Sequence, residues 1–93
     1  MAKIKDKNKE LIYNKLQSYK KLRGDWKESV NVALQKFEGT EKEELFKLHF
    51  VEHKAMIPIC MELYISQRTF FSWRDEIINA VLVQAAYDKL IKP

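Results

Sequence analysis

The sequence predicts an all-α domain of five helices. Three observations carry that expectation. Only two glycines and two prolines occur in 93 residues, so the chain lacks the turn punctuation of an all-β fold with many short strands. Apolar residues recur at steps of three and four through most of the chain, which is the period of a helix with one buried face. Cap-type residues stand where those patterns begin, at Asp25, Thr40 and Ser66. A chain of this length surrounds one core, so residues 1–93 are read as a single domain.

The first helix is expected from Lys7, with Ile12, Leu16 and Tyr19 as its buried stripe and Leu11 and Leu22 beside it. Gly24 is read as its end, because glycine takes the left-handed position after a helix at no steric cost. Asp25 and Glu28 form a D-x-x-E pair that starts the second helix, and Trp26, Val30, Ala33, Leu34 and Phe37 supply its apolar face. The same sequence of signals returns at Gly39 and Thr40, with Glu43 completing a second capping box and Glu41 and Glu44 strengthening the start. This third helix is expected to reach Val51 or Glu52, burying Leu45, Phe46, Leu48 and Phe50. Pro58 fits the first turn of a fourth helix that begins near Ala55 or Met56 and buries Met56, Ile59, Cys60 and Leu63. After a tight turn at Tyr64 and Ile65, Ser66 caps a fifth helix that meets no breaker before Leu90.

Composition narrows the function classes. The chain is 46% hydrophobic, 12% aromatic and 32% charged, well away from the signature of disorder. The single Cys60 rules out an intramolecular disulfide and reads as a buried small hydrophobe, which suits a reducing cytoplasm. MAKIKDKNKE has no apolar stretch behind it, and no run is long enough to span a membrane, so neither a signal peptide nor a membrane anchor is expected. His49 and His53 are four apart, a metal-compatible spacing, but lack a third ligand nearby; no metal or other cofactor is expected. The glutamates at 41, 43 and 44 are accounted for by the positive end of their helix, and no set of residues points to an enzyme. The net charge of +4 is uneven: residues 1–27 hold nine Lys and Arg against three acids, and residues 28–93 hold eight against ten. Residues 1–39 are therefore a basic N-terminal helical pair, and residues 41–93 a nearly neutral unit with a long last helix.

That second unit has the spacing of a helix-turn-helix, in which a short helix, a tight turn and a capped second helix place the latter in the DNA major groove. Ile59, Cys60, Leu63, Ile65, Phe70, Trp73 and Ile77 occupy the positions such a unit buries. The stretch ELFKLHFVEHKAMIPICMELYISQRTFFSWRDEII resembles the C-terminal promoter-reading region of bacterial sigma factors. It is more similar still to the small phage transcription regulators of the RinA and ArpU type. The resemblance lies in the acid-rich start of the third helix, then Leu45, Leu48 and Phe50, then Ile59, Leu63 and Ile65, then Ser66, Arg68 and Thr69, and covers roughly half the chain. Two positions depart from it: Tyr64 stands where many such units have glycine, and Phe71 and Ser72 stand where several arginines are common. The resemblance implies a phage- or prophage-encoded DNA-binding transcription regulator in a bacterial cytoplasm. Such a protein reads a promoter-proximal duplex and works with host RNA polymerase.

If Phe70, Trp73 and Ile77 face inward, Gln67, Arg68, Phe71, Ser72 and Arg74 fall on outer or flanking surfaces. Arg68 and Gln67 suit guanine and adenine edges, Ser72 a base or phosphate, Phe71 a thymine methyl and Arg74 a phosphate. Lys54 completes the expected DNA-contacting set. The plain alternative is a polar helix face with Phe71 covered by the N-terminal helices. Lys3, Lys5, Lys7 and Lys9 read equally as a solvated terminus or as an arm along phosphates. The last helix is apolar around too much of its circumference to be covered on one side, at Ile78, Ala80 to Val83, Ala85 to Tyr87, Leu90 and Ile91. Either the N-terminal helices wrap it or a second subunit does; a homodimer is expected, and it would match a two-fold DNA site. Two other functions fit the pattern: a helical protein-interaction or assembly module, and a small DNA-recognising subunit of phage packaging machinery.

Overall fold

The computed structural model describes residues 7–91. Five α-helices account for most of them: α1 Lys7–Gln17, α2 Gly24–Leu34, α3 Glu41–Phe46, α4 Met56–Leu63 and α5 Gln67–Tyr87. Short 3₁₀ turns follow α1 (Tyr19–Lys21) and α2 (Gln35–Phe37), and α3 runs on into a π-helical turn, Lys47–Val51. No strand occurs among the described residues. The lysines at 3 and 5 lie outside them, and no described helix is long and apolar enough to cross a membrane.

α5 is the axis of the molecule, with α1, α2, α3 and α4 all packed against it. Its buried residues are Phe70, Arg74, Ile77, Ile78, Ala80, Val81 and Ala85, a stripe with the three-and-four spacing of one helix face. Against that stripe stand Ile12 and Leu16 of α1, Val30 and Ala33 of α2, Leu45, Leu48 and Phe50 of α3 and its π turn, and Ile59 of α4. The core expected from apolar spacing is thus largely the core observed. α1 and α2 lie along the last helix and cover part of it within one chain, while Val83 and Tyr87 stay exposed. Ser29 Oγ of α2 donates to Asp88 just past α5 at 2.8 Å, fixing one end of that packing. Trp73, expected inside, is half-buried at the edge of the stripe.

The helix ends differ from expectation in a consistent way. α1 stops at Gln17, earlier than a boundary at Gly24, because Ser18 leaves helical geometry and only a 3₁₀ turn separates it from the extended Leu22 and Arg23. Gly24, at φ 60°, opens α2 instead, with Arg23 as the capping residue and no side-chain cap from Asp25. At α3, Thr40 is the N-cap, but its hydroxyl donates backward to the Phe37 carbonyl at 2.6 Å, while the Glu43 carboxylate accepts from the Gly39 amide at 3.1 Å. Three helix ends close without glycine. His53, Tyr64 and Lys89 take the left-handed conformation at φ 57°, 56° and 61°. The amide one residue later then reaches back five residues, Ile65 to Cys60 and Leu90 to Ala85, or six after the π turn, Lys54 to Leu48, all within 3.0 Å. These are Schellman closures, which satisfy carbonyls the helix leaves unpaired. The closure at Lys89 is why α5 ends at Tyr87 rather than at Leu90.

Tyr64 is 94% exposed, so its side chain contributes little packing that would offset the cost of its backbone conformation. A left-handed residue with a Cβ costs roughly 1–2 kcal/mol, and glycine loses about 0.5–1 kcal/mol more chain entropy on folding. Tyr64→Gly is therefore expected to raise the unfolding free energy by about 0.5–1 kcal/mol, measured by urea denaturation.

Candidate nucleic-acid interface

α4 and α5 are joined by Tyr64, Ile65 and Ser66 alone. The left-handed Tyr64 turns the chain, and Ile65 is tucked against the core. Ser66 then starts α5: its Oγ accepts from the Thr69 amide at 3.1 Å and lies 3.0 Å from the Thr69 hydroxyl. That bond satisfies one of the free amides of the first turn and fixes the direction in which α5 leaves the turn.

The six residues expected to contact DNA do not behave alike. Gln67, Arg68 and Ser72 are exposed on the first two turns of α5. Arg68 and Ser72, four apart, share a face. Phe71 is half-buried, its ring edge-on to Phe70 with centroids 5.3 Å apart. Lys54 is exposed but lies 3.2 Å from Glu62 and 3.9 Å from Glu52, so its charge is partly neutralised by carboxylates of α4 and the preceding linker. Asp75 and Glu76 follow Ser72 by three and four residues, and Glu76 is paired with Lys42.

Arg74 corrects the expectation. Instead of lying on the surface for a phosphate, it is only 8% exposed. It stands four residues after Phe70 and three before Ile77, which puts it on the stripe facing the other helices. Its guanidinium lies between two rings, 5.5 Å from the centroid of Tyr13 and 5.0 Å from that of Phe71. Its Nε and Nη2 find no hydrogen-bond partner among the described residues. A desolvated cation over an aromatic face gains up to ~2 kcal/mol per ring, which offsets part of the penalty of removing the charge from water.

His49 lies in the same region. Its ring packs edge-on against Phe50 and Phe70, and its Nδ1 faces the Lys54 carbonyl at 3.4 Å, where it can only donate. Its Nε2 is buried without a hydrogen-bond partner among the described residues. Burial holds the pKa of His49 below the ordinary 6.5; the Lys54 carbonyl opposes that shift, and the positive charges of Arg74 and His53 add to it. His53 turns elsewhere, its Nδ1 3.2 Å from Gln17 Oε1, so the two histidines do not converge on a shared site. Cys60 is a buried free thiol on the apolar face of α4.

The signal that was available for Arg74 is its place in the 70–74–77–81 series, which its charge overrode. A second feature had no linear signal. Gln17, Ser18, Lys20 and Lys21 at the end of α1 meet His53 across a small hollow floored by Phe50, a contact between residues more than thirty positions apart. No protein-family model matches the chain, and no curated protein or solved structure matches it significantly.

The lowered pKa of His49 makes stability depend on pH. Below 6.5 the unfolded chain takes up a proton at this residue before the folded chain does, so stability falls as pH drops from about 6.5 toward the folded-state value. His49→Phe keeps an aromatic ring against Phe50 and Phe70 and removes the proton. Urea unfolding between pH 7.5 and 5 is expected to show a shallower loss of stability in the variant than in the parent chain.

Proposed function

We propose that this chain is a DNA-binding transcription regulator that presents the first turns of α5 to the major groove. The observation that carries the reading is the exposed trio Gln67, Arg68 and Ser72 at the start of an N-capped helix that follows a second helix after three residues. Arg68 has no ion-pair partner among the described residues, so its guanidinium is free for the bidentate contact with guanine that arginine makes best. Gln67 is suited to an adenine edge and Ser72 to a base or a phosphate. Phe71 takes part with its outer edge only, and Arg74 acts from beneath, holding Phe71 and Tyr13 rather than touching DNA. The basic charge of the first third of the chain supplies attraction that is independent of sequence.

On the same reading the protein is phage- or prophage-encoded, works in a bacterial cytoplasm with host RNA polymerase near a promoter, and binds as a homodimer. Support for the dimer comes from Val83 and Tyr87, four apart on α5 and 64% and 81% exposed, on the part of the helix that α1 and α2 leave open. A specific observation favours a second reading, that of a protein-interaction module. Ile57 and Met61, four apart on α4, are exposed, and the exposed Tyr64 follows them in the turn, an apolar patch beside the proposed DNA face.

Binding to duplex DNA decides between the two. The protein is expected to bind random duplex at ~50 mM salt, where phosphate contacts are strongest, and to enrich a preferred sequence from a random pool. Arg68→Ala is expected to lower discrimination at one position by about 1–3 kcal/mol and to leave the urea midpoint unchanged. Absence of duplex binding at that salt concentration would remove the DNA reading and leave the apolar patch at α4 as the functional surface.

A further inference from the structure

The hollow at the end of α1 has a composition unlike the rest of the surface. It has a volume of about 210 Å³ and is lined by Gln17, Ser18, Lys20, Lys21, Phe50 and His53, with no carboxylate among them. A water takes up about 30 Å³ in the liquid, so there is room for a phosphate group with part of its hydration. Lys20 and Lys21 are exposed and make no ion pair among the described residues. Nearby cations are already engaged, Lys27 over the Tyr19 ring and Lys15 over Trp26. Two lysines therefore remain for a ligand.

The hollow is also held in shape. Gln17 Nε2 donates to the Tyr13 hydroxyl at 2.7 Å, which turns its Oε1 toward His53 Nδ1 at 3.2 Å. That contact occupies the Nδ1 edge of the imidazole and fixes the ring against the end of α1. The same Tyr13 ring carries the guanidinium of Arg74, which lies against Phe71. A continuous series of contacts thus runs from the second turn of α5, through Arg74, Tyr13 and Gln17, to His53.

We propose that Ser18, Lys20, Lys21 and His53 form a phosphate-binding pocket that holds one backbone phosphate of the duplex read by α5. The lysines supply charge and the serine hydroxyl supplies a directed donor, residue types that grip phosphate without reading sequence, and the His53 ring, held by Gln17, closes the pocket beside them. The wall of the pocket is anchored through Arg74 to α5, so it orients that helix on the duplex. This assignment rests on the DNA-binding reading above, and the experiment separates the two.

Inorganic phosphate is titrated into the ¹⁵N-labelled protein at constant ionic strength, with chloride as the control, and the amide signals are followed. In parallel, duplex affinity is measured across a salt series for the parent chain, Lys20→Gln/Lys21→Gln and Arg68→Ala. Phosphate is expected to move the amides of Ser18, Lys21 and His53, and to move them much less in the double variant. The double variant is expected to bind all duplexes more weakly, with the slope of log K against log salt reduced by about 0.9 for one lost phosphate contact. Arg68→Ala is expected to keep the phosphate response and lose sequence preference. No phosphate-specific shift at these amides overturns the pocket, and so does a shift accompanied by an unchanged salt slope. If the parent chain binds no duplex at all, the DNA reading fails, the pocket's role on a duplex falls with it, and the titration alone decides whether it binds phosphate.

Discussion

The buried face of α5 is the constraint on which the rest of the structure depends. Every other helix is placed by contact with it, and its stripe from Phe70 to Ala85 reaches the core residues of all four. A helix of 21 residues is about 30 Å long at 1.5 Å per residue, long enough for different partners to cover different parts of its length. The N-terminal turns meet α4 and the π turn, where Phe70 touches His49, and the C-terminal half meets α2, tied by Ser29 to Asp88. What α5 leaves uncovered is therefore set by this arrangement: its first two turns on one side, and Val83 and Tyr87 at the far end.

One residue on that face is charged, and its surroundings follow from the charge. Arg74 cannot give up its proton, so burial has to be met by electron-rich neighbours. Tyr13 and Phe71 provide ring faces, and the pKa of His49, lowered first by its own burial and further by Arg74, favours the neutral imidazole next to an existing cation. The tautomer fits the same arrangement: with a proton on Nδ1 directed to the Lys54 carbonyl, Nε2 carries a lone pair rather than a second positive N–H. α1, the π turn and α5 meet in this cluster, where Arg74 lies against Tyr13 and Phe71 and His49 against Phe70.

The parts of the fold legible in the sequence are those that depend on apolar spacing. Ile12 and Leu16, Val30 and Ala33, Leu45 and Phe50, and Phe70 and Ile77 are buried as their steps of three and four require. Helix starts were partly legible, because Ser66 does cap α5 through its own side chain, while Thr40 bonds backward and Asp25 does not cap. Helix ends were harder to read. Glycine marks such ends because it accepts positive φ freely, but here His53, Tyr64 and Lys89 accept it under the force of a backbone closure, and none of these types announces a left-handed turn. In the candidate site, Gln67, Arg68 and Ser72 were legible as outward-facing and Arg74 was not, because a charged residue reads as exposed even when its register places it inward. The meeting of Lys20 and Lys21 with His53 depends on how α1 packs beside the π turn, which no local pattern specifies.

The strained backbone positions are not spread evenly over the surface. A left-handed residue other than glycine persists only where its surroundings overdetermine it, and such residues concentrate where geometry has a use. Tyr64 forms the turn that aims α5, and His53 lines the basic hollow; Lys89 ends α5 and borders neither. For Lys89 the Schellman closure and the favourable position of a cation at a helix C-terminus are sufficient explanation. For His53 the closure alone does not explain why the position is held by an imidazole engaged with Gln17, since any residue with a compatible backbone would complete the same bond from Lys54 to Leu48. The left-handed conformation accompanies an imidazole that faces α1 beside Lys20 and Lys21, so the same local strain that ends the π turn also closes a basic hollow against the end of α1.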